Sequence, residues 1–198
     1  MAEVRQTRSD ATRNRSKILD AARTALAVSG EASTQSIARA AGVGQGTLYR
    51  HFPTRDALVL EVHRRDVAAL VDAAPVLLQT LSAAGALRVW CEQLADYGQV
   101  KHGLLEAVYA DLHHRLGDEG SGPVVTALAL LLDAGRADGT LTGAFTGELG
   151  AGDVLDLLGF LWRTDPTGAG RARSTRLLDF VLTALTTSPD QPADARHT

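Results

Sequence analysis

The chain has 198 residues, of which 45% are hydrophobic and 22% are charged, a composition typical of a soluble globular protein with one or two small domains. Its single cysteine, Cys91, excludes an intramolecular disulfide framework and a multi-cysteine zinc site. No apolar run approaches the roughly 20 residues of a membrane span, and the N-terminus is polar and basic, unlike a signal peptide, so we expect a cytoplasmic protein. Cys91 is either a redox-active thiol or, as is usual for a free cysteine, a small core residue beside Trp90.

The charges are distributed unevenly along the chain. Residues 1–65 contain eleven Lys or Arg and six Asp or Glu, whereas residues 66–198 contain nine and seventeen, within a net charge of −3. A basic first third on an acidic remainder is expected when one end of a protein faces nucleic-acid phosphates. Alanine and leucine dominate, aromatic residues make up 5%, and β-branched runs are scarce, so the composition predicts an all-α fold.

The first thirteen residues are polar and lack helical periodicity, so we expect a flexible arm. Apolar residues then recur at helical spacing and predict a first helix from about Thr12 to Val28. This helix would cover the apolar side of the segment that follows. Arg13 and Arg15 lie at the junction and are candidates for contacts with a DNA backbone or minor groove, although a solvated basic tail is the alternative for the arginines before them.

The segment from Ser33 to Leu58 predicts two short helices joined by a glycine turn, and the start of a third. Ser33 is a suitable N-cap because its hydroxyl accepts from free backbone N–H groups of the first turn. Gly42 adopts the left-handed conformation at little cost, so it ends the first helix and turns the chain. Phe52 precedes Pro53, which disfavours helical geometry at Phe52 and ends the second helix. This arrangement is typical of a helix-turn-helix, whose second helix lies in the DNA major groove.

The exposed positions of the second predicted helix carry hydrogen-bond donors and no carboxylate. These positions are Gln45, Thr47, Tyr49, Arg50 and His51. Gly46 carries no side chain that would hold the backbone away from a phosphate. An ordinary buried pair of helices would also contain a glycine turn, but it would not need an outer face free of carboxylates. We therefore interpret this helix as the DNA-reading one, with the Gln45 amide as a candidate partner for an adenine edge.

The run GlyValGlyGlnGlyThrLeuTyrArgHisPheProThrArgAspAlaLeu, residues 42–58, resembles the DNA-binding signature of the tetracycline-repressor (TetR) family. The resemblance extends back through IleAlaArgAlaAla and the preceding amphipathic helix, over about the first third of the chain. Gly44 and Arg55 stand where many members have Ser and Lys. The chain is similar, more loosely, to the SbtR-like subset in its ProThrArg turn and in LysHisGlyLeuLeuGluAlaVal from Lys101.

The resemblance implies a homodimeric transcriptional regulator, most commonly a repressor that binds a palindromic operator and responds to a small molecule. It implies an N-terminal three-helix helix-turn-helix domain followed by a helical ligand-binding and dimerisation domain. We expect Thr47, Tyr49, His51 and Arg55 to contact phosphates. The complete set of predicted DNA-binding residues is Arg13, Arg15, Ser33, Gln45, Gly46, Thr47, Tyr49, Arg50, His51 and Arg55.

Three regions are expected: the arm and DNA-binding domain at 1–58, a helical body at 59–188 and a disordered tail at 189–198. A helix from Thr54, predicted to end near Ala73 before Pro75, links the first region to the second. A tilt of this helix would move the recognition helix. Further helices, separated by glycine-containing turns such as 117–122, are predicted at about 76–82, 87–100, 101–116, 123–134, 151–162 and 169–186.

The last two predicted helices are apolar over a wide arc, so each must be covered on several sides. A larger core of the same chain and a second copy of the chain both satisfy this requirement. The resemblance implies the second copy, because TetR-like proteins dimerise through two C-terminal helices that form a four-helix bundle. The predicted dimerisation residues are Leu157, Leu158, Leu161, Leu177, Leu178, Val181 and Leu185.

Catalytic chemistry has no support in the sequence. His102 and His113 share one face of the predicted helix 101–116, but they are about 16 Å apart along its axis, too far for one metal ion. No nucleotide-binding loop or catalytic triad is recognisable, so we expect no enzyme, no metal and no cofactor. The predicted effector-pocket residues are Trp90, Tyr97, His102, Glu106, Tyr109, His113, Phe160 and Trp162. Core packing is the alternative for the aromatic ones, and a solvated polar face is the alternative for the cluster on the helix 101–116. The competing class is a helical small-molecule-binding protein or enzyme whose N-terminal domain contacts protein partners.

Overall fold

All the described elements of the chain are helical in the computed structural model, which confirms the predicted all-α class. The backbone is described for residues 2–28, 32–107, 110–142, 149–162 and 168–186, and side chains for 10–28, 32–98, 122–142, 149–161 and 168–186. The helices are α1 (Ala2–Val28), α2 (Thr34–Ala40), α3 (Gln45–His51), α4 (Arg55–Leu78), α5 (Ala83–Ala107), α6 (Ala110–Asp138), α7 (Ala151–Leu157), a 3-10 helix (Leu158–Trp162) and α8 (Gly168–Thr186). No described helix combines the length and hydropathy that a bilayer crossing requires.

Backbone contacts divide the chain into two units. Unit 1 comprises Met1–Asp66 and Gln99–Asp118, and unit 2 comprises Val67–Gly98 and Glu119–Thr198. The division after Asp66 falls inside α4, so this helix contributes to both units. The domain boundary predicted after residue 58 falls inside the same helix, and the domain limits stay a prediction.

The core of unit 1 is a cluster of apolar side chains contributed by four helices. Ile18, Ala22 and Leu26 recur every four residues along α1 and are at most 1% exposed. They share one buried cluster with Ile37 of α2 and Leu48 of α3. The other buried members are Leu19, Ala38, Ala41, Phe52, Leu58, Val59 and Val62. Helices as short as α2 and α3 are unstable in isolation, so this cluster is what stabilises them.

Three ion pairs join α1 to α4 at the edge of this core. The N···O distances are 2.6 Å for Arg15–Glu61, 2.7 Å for Arg65–Asp20 and 2.9 Å for Arg23–Asp66. Burial raises the pKa of the Asp66 carboxyl above its ordinary value, although the hydrogen bond and charge of Arg23 act in the opposite direction. The pKa of Asp66 is therefore higher in the folded chain than in the unfolded chain. Ionisation of Asp66 lowers the free energy of unfolding as the pH rises from the unfolded-state pKa through the folded-state pKa.

The core of unit 2 surrounds Trp90, whose side chain is fully buried. Its indole N–H donates to the Leu70 carbonyl oxygen at 2.9 Å, which satisfies the one polar atom of the ring. Cys91 is also fully buried, and this burial raises the pKa of its thiol to about 12. Other members of the cluster are Leu87, Leu94, Leu128, Leu131, Leu178 and Leu182. The interpretation of Cys91 as a small core residue is confirmed.

The prediction of a flexible arm over the first thirteen residues is wrong, because α1 begins at Ala2. The sequence signal was the lack of apolar periodicity. Residues 2–12 nevertheless contain no Gly or Pro and include several good helix formers. The helix predicted from about Thr12 can therefore extend back to Ala2 without an apolar face.

The predicted end of α4 before Pro75 and the separate helix at 76–82 are also wrong. The helix continues to Leu78 through Pro75, which is exposed and lies in the last turn. A proline there removes one backbone hydrogen bond, and in partial compensation Leu77 and Leu78 pack against the core of unit 2.

The glycine-containing turn predicted at 117–122 is instead part of α6, which also passes through Pro123 and ends at Asp138. Each glycine costs a helix interior about 1 kcal/mol relative to alanine. Burial of downstream residues such as Val124 offsets this cost, and tertiary packing routinely overrides such propensities. The helix predicted to end near residue 134, before a turn at 135–139, instead continues to Asp138, and only Gly139 of that turn lies beyond it, with φ at +74°.

Gly135 of α6 allows a close approach of the chain that follows the helix. The Leu141 N–H donates to the Gly135 carbonyl oxygen at 3.0 Å, and a Cβ at Gly135 would overlap the Cγ and Cδ1 atoms of buried Leu141. We predict that Gly135→Ala lowers the free energy of unfolding by about 1–2 kcal/mol, because overpacking outweighs the helix propensity gained. The measurement is the shift of the urea unfolding midpoint.

Gly122→Ala is the matched control in the same helix, since Gly122 is exposed and a Cβ there meets no atom within 4 Å. This variant should be unchanged or more stable by up to about 1 kcal/mol. A Gly135→Ala protein at least as stable as the unmodified chain would contradict the packing described for Leu141.

Cys91 should be inert towards thiol reagents in the folded protein. With a pKa of about 12, about one molecule in ten thousand carries the thiolate at pH 8, and the sulfur is also fully buried. We expect Ellman's reagent to react slowly with the native chain and rapidly, with one equivalent, after unfolding in guanidinium. Rapid stoichiometric reaction of the native chain would contradict the core position.

Candidate nucleic-acid interface

The chain turns sharply between α2 and α3 at Gly42, which has φ at +67°. The Gly42 N–H donates to the Arg39 carbonyl oxygen at 3.1 Å, and the Val43 N–H donates to the Ala38 carbonyl oxygen at 3.0 Å. This pair of bonds is the Schellman ending of a helix, which needs a left-handed residue at the glycine position. The predicted role of Gly42 is confirmed.

Side-chain caps and one extended residue delimit the helices around this turn. The Ser36 N–H donates to Ser33 Oγ at 3.1 Å at the start of α2, and the Ala57 N–H donates to Thr54 Oγ1 at 3.1 Å at the start of α4. Phe52 ends α3 with φ at −136° and ψ at 92°, as its position before a proline predicts. The local chemistry of the sequence therefore produces the helix-turn-helix at its predicted place.

Helix α3 divides its residues between the core and the surface. Leu48 is fully buried, Phe52 at its C-cap is 3% exposed, and Tyr49 on the opposite side is 43% exposed. Of the other predicted DNA-binding residues of α3, Gln45, Gly46 and Arg50 are exposed, and Thr47 and His51 are half-buried. The helix contains no acidic residue. Its outer side therefore presents donors and positive charge to a partner.

A hydrogen bond between hydroxyls ties the start of α2 to α3. Thr34 Oγ1 lies 3.2 Å from Tyr49 Oη, and either oxygen can be the donor. When Thr34 donates, the phenolic proton of Tyr49 is available for an acceptor outside the protein, such as a phosphate oxygen. Sequence reasoning did not identify Thr34, and its only signal was its position directly after the cap Ser33.

Basic residues lie at the end of α2, the end of α3 and the beginning of α4. Arg39 and Arg50 are exposed in the last turns of their helices, where the helix dipole favours a positive charge. Arg55 is half-buried at the first position of α4. Arg13 is exposed on α1 and pairs with Asp10 one turn earlier at 3.1 Å. These positions leave positive charge around the recognition helix.

Arg15, which was predicted to contact DNA, makes its closest contacts inside unit 1. Its Nη2 atom lies 2.6 Å from Glu61 Oε1, and its Cζ atom lies 5.2 Å from the centroid of the Phe52 ring. The side chain is 41% exposed. Arg15 therefore touches both α4 and the end of α3.

Three of the predicted effector-pocket residues belong to the packed core of unit 2, and the side chains of the other five lie outside the described residues. Trp90 and Tyr97 are buried in the core of unit 2, and Phe160 packs against it. His102 and Glu106 lie on α5 and His113 on α6, but their side chains and that of Trp162 are outside the described residues, as is all of Tyr109, so the shared face stays a prediction. Among the described residues, no group of three or more His, Cys, Asp or Glu could hold a metal ion.

The predicted dimerisation residues separate into two groups. Leu158, Leu161, Leu178 and Leu185 are at most 4% exposed within their own chain, Leu177 and Val181 are half-buried, and Leu157 is 54% exposed. Phe180, which was not among the predicted set, is 73% exposed. The helical wheel was the available signal, because Phe180 lies outside the stripe formed by Leu178, Leu182 and Leu185.

An apolar groove of about 590 Å³ lies between α7 and α8 in unit 2. Leu157 and Phe180 contribute large exposed apolar side chains to it. The remaining lining residues are Leu149, Asp153, Val154, Asp156, Val181, Ala184 and Leu185. The exposed apolar surface of these two helices is therefore concentrated in one place.

Residues 18–62 match the model of the family described as bacterial regulatory proteins, tetR family. This range contains α2, the turn, α3 and the first part of α4. No curated protein is significantly similar to the chain. The narrower likeness to the SbtR-like subset stays a prediction.

Solved structures resemble most of the chain. A TetR transcriptional regulator from Streptomyces coelicolor is 36% identical, with 87% of this chain and 98% of that one covered and a TM-score of 0.76. A TetR transcription regulatory protein from Mycobacterium vanbaalenii is 29% identical, with 91% and 99% covered and a TM-score of 0.71. The regulator FadR from Bacillus subtilis, solved in complex with stearoyl-CoA, is 17% identical, with 85% and 97% covered and a TM-score of 0.62, and shares the fold alone.

Proposed function

The chain belongs to the tetR family of bacterial regulatory proteins and is a DNA-binding transcriptional regulator, and we propose that it acts as a dimeric repressor released by a small molecule. In this proposal two copies of α3 enter successive major grooves about 34–36 Å apart on a roughly palindromic operator. The protein works without catalysis, in the cytoplasm, where its DNA target lies.

The observation that carries the DNA-binding proposal is the division of α3. Leu48 fixes one side of the helix in the core, and the other side carries exposed donors without a carboxylate. A surface that served only solubility would have no reason to exclude acidic residues, particularly in a chain of net negative charge. The surplus of basic residues in the first 65 residues adds a sequence-independent attraction to phosphates.

Different roles are proposed for the residues of this surface. Gln45 is the base reader, because its amide can donate and accept together at an adenine edge. Tyr49, Thr47 and Arg55 contact phosphates, with His51 and Arg50 beside them, and Gly46 lets the backbone approach. Ser33 places the capped end of α2 against the DNA backbone, and Arg13 adds charge from α1.

The groove between α7 and α8 is proposed as the contact with the second copy. Exposed apolar side chains such as Leu157 and Phe180 are costly to leave in water, and a twofold contact would bury the same side chains from both chains. Leu158 and Leu161 of the 3-10 helix and Leu178 and Leu185 of α8 are buried in their own core and hold these two helices in place. Dimerisation of this kind is typical of the family.

An effector is proposed to act by selecting between two states of the dimer. Trp90 belongs to the packed core and its N–H is already bonded, so it stabilises the body and is a poor candidate for ligand contact. His102, Glu106, Tyr109 and His113 remain the proposed polar contacts. The shift in DNA affinity is limited by the difference in effector affinity between the two states.

Substitutions in α3 should separate base reading from phosphate contact. We expect Tyr49→Ala to weaken binding to all duplexes by a similar factor, because a phosphate contact carries no sequence information. Gln45→Ala should change the preferred sequence and reduce the ratio of specific to random binding by roughly 5- to 150-fold, the worth of a bidentate base contact. Selection from random duplexes followed by affinity measurement tests both. Equal effects of both variants on specific and random DNA would contradict these roles.

A charge in the groove should separate the two copies. We expect Leu157→Asp and Phe180→Asp to weaken dimerisation by roughly a hundredfold or more, because an unpaired carboxylate would be buried. Sedimentation and light scattering measure the mass. Leu130→Asp is the matched control, since Leu130 is 44% exposed on α6 and does not line the groove. Monomer formation by the control alone, or by no variant, would contradict this interface.

A further inference from the structure

We propose that Arg15 is a positioning residue that holds the C-terminal end of the recognition helix, and that it is not a phosphate contact. This inference rests on the proposed DNA-binding function and concerns the same surface. Its basis is the place where the guanidinium lies, at the end of α3 and between α1 and α4.

The guanidinium of Arg15 makes two contacts at once. It pairs with Glu61 at 2.6 Å, and its Cζ atom lies 5.2 Å from the centroid of the Phe52 ring, within the range of a cation–π interaction. Phe52 is the C-cap of α3, and its N–H donates to the Leu48 carbonyl oxygen at 2.8 Å. A displacement of the Phe52 ring would therefore carry the last turn of the recognition helix with it.

The same geometry makes Arg15 a poor ligand for a phosphate. Its charge is already balanced by Glu61, whose side chain is 30% exposed. A phosphate that drew the guanidinium away from α4 would break both contacts, and one that bound it in place would lie close to the Glu61 carboxylate. Arg13 is different, since it is 63% exposed and its partner Asp10 lies on the same helix.

An arginine suits this role better than a lysine. The planar guanidinium can lie against an aromatic ring while its N–H groups bond a carboxylate, whereas an ammonium is a compact and strongly hydrated charge. A phosphate contact does not require a guanidinium, because lysine also binds phosphate as a point charge. Arg15→Lys therefore distinguishes the two roles.

The experiment compares two pairs of substitutions that leave the net charge unchanged. Arg15→Gln with Glu61→Gln removes the pair at the end of α3. Asp20→Asn with Arg65→Gln is the matched control, because it removes an ion pair between the same two helices that has no aromatic residue of α3 as a partner. The probes are a duplex selected by the unmodified protein from a random library and a random-sequence duplex, each measured from about 50 to 200 mM salt. Circular dichroism and the thermal midpoint show that each variant folds.

For the positioning role, the Arg15/Glu61 variant should bind the selected duplex roughly three- to tenfold more weakly. Its slope of affinity against salt should be unchanged, and the ratio of selected to random binding should fall. Arg15→Lys should also reduce this ratio, and the Asp20/Arg65 control should not.

A salt slope reduced by about 0.9 in the Arg15/Glu61 variant, with an unchanged ratio of selected to random binding, would identify a phosphate contact and overturn the proposal. The proposal would also be overturned if Arg15→Lys kept the unmodified ratio of selected to random binding, or if the Asp20/Arg65 control lost as much of this ratio as the Arg15/Glu61 variant. If the unmodified protein selects no sequence from the library and does not bind the random-sequence duplex even at about 50 mM salt, the DNA-binding function itself fails and the inference falls with it.

Discussion

The recognition helix is too short to be stable alone, and this constraint explains most of unit 1. Helix α3 has seven residues, and isolated helices below about 12–15 residues are marginal in water. Leu48 and the C-cap residue Phe52 are the side chains that bury it in the core. The rest of the unit supplies the surroundings for these two residues: α1 and α4 provide apolar surface, and the Gly42 turn directs the chain towards them. The outer side of α3 can therefore stay exposed, because burial of Leu48 and Phe52 stabilises the helix from its inner side.

Features of the fold that arise from neighbouring residues were predictable from the sequence. The Ser33 and Thr54 caps, the left-handed glycine and the end of α3 before a proline each depend on interactions within a few residues. The helix limits at Pro75 and at residues 117–122 depend on packing with distant parts of the chain. Local propensity opposes a helix at both places, and the helix continues because residues beyond the break pack against the core of unit 2: Leu77 and Leu78, partly buried, after Pro75, and buried Val124 after residues 117–122. The sequence contains those residues, but a local pattern does not show what they will contact.

The candidate site shows the same distinction. The outer residues of α3 were predictable because the helical period places them opposite Leu48. The partners of Arg15 were not predictable, because Glu61 and Phe52 are far from it in the sequence. Any acidic residue could have taken the place of Glu61. The wide apolar arc of the last two helices left two explanations open, a larger core of the same chain and a second copy. The first applies to Leu158, Leu161, Leu178 and Leu185, which are buried in their own core, whereas Leu157 and Phe180 are exposed in the single chain, as the proposed dimer contact requires.

The ion pairs between α1 and α4 matter more for the register of these helices than for their stability. The two exposed pairs, Arg15–Glu61 and Arg65–Asp20, contribute between zero and about 1 kcal/mol each, and in the third pair burial of Asp66 opposes its ionisation. The charges on α1 nevertheless alternate in sign from Arg15 to Asp20 to Arg23, and their partners on α4 alternate in the opposite sense and in the same order. A shift of α1 by about one turn would bring like charges together. Their repulsion would destabilise the shifted arrangement, whereas the loss of one ion pair only removes a weak attraction. Because Arg15 also contacts Phe52, the position of α1 along α4 affects the position of the C-terminal end of the recognition helix.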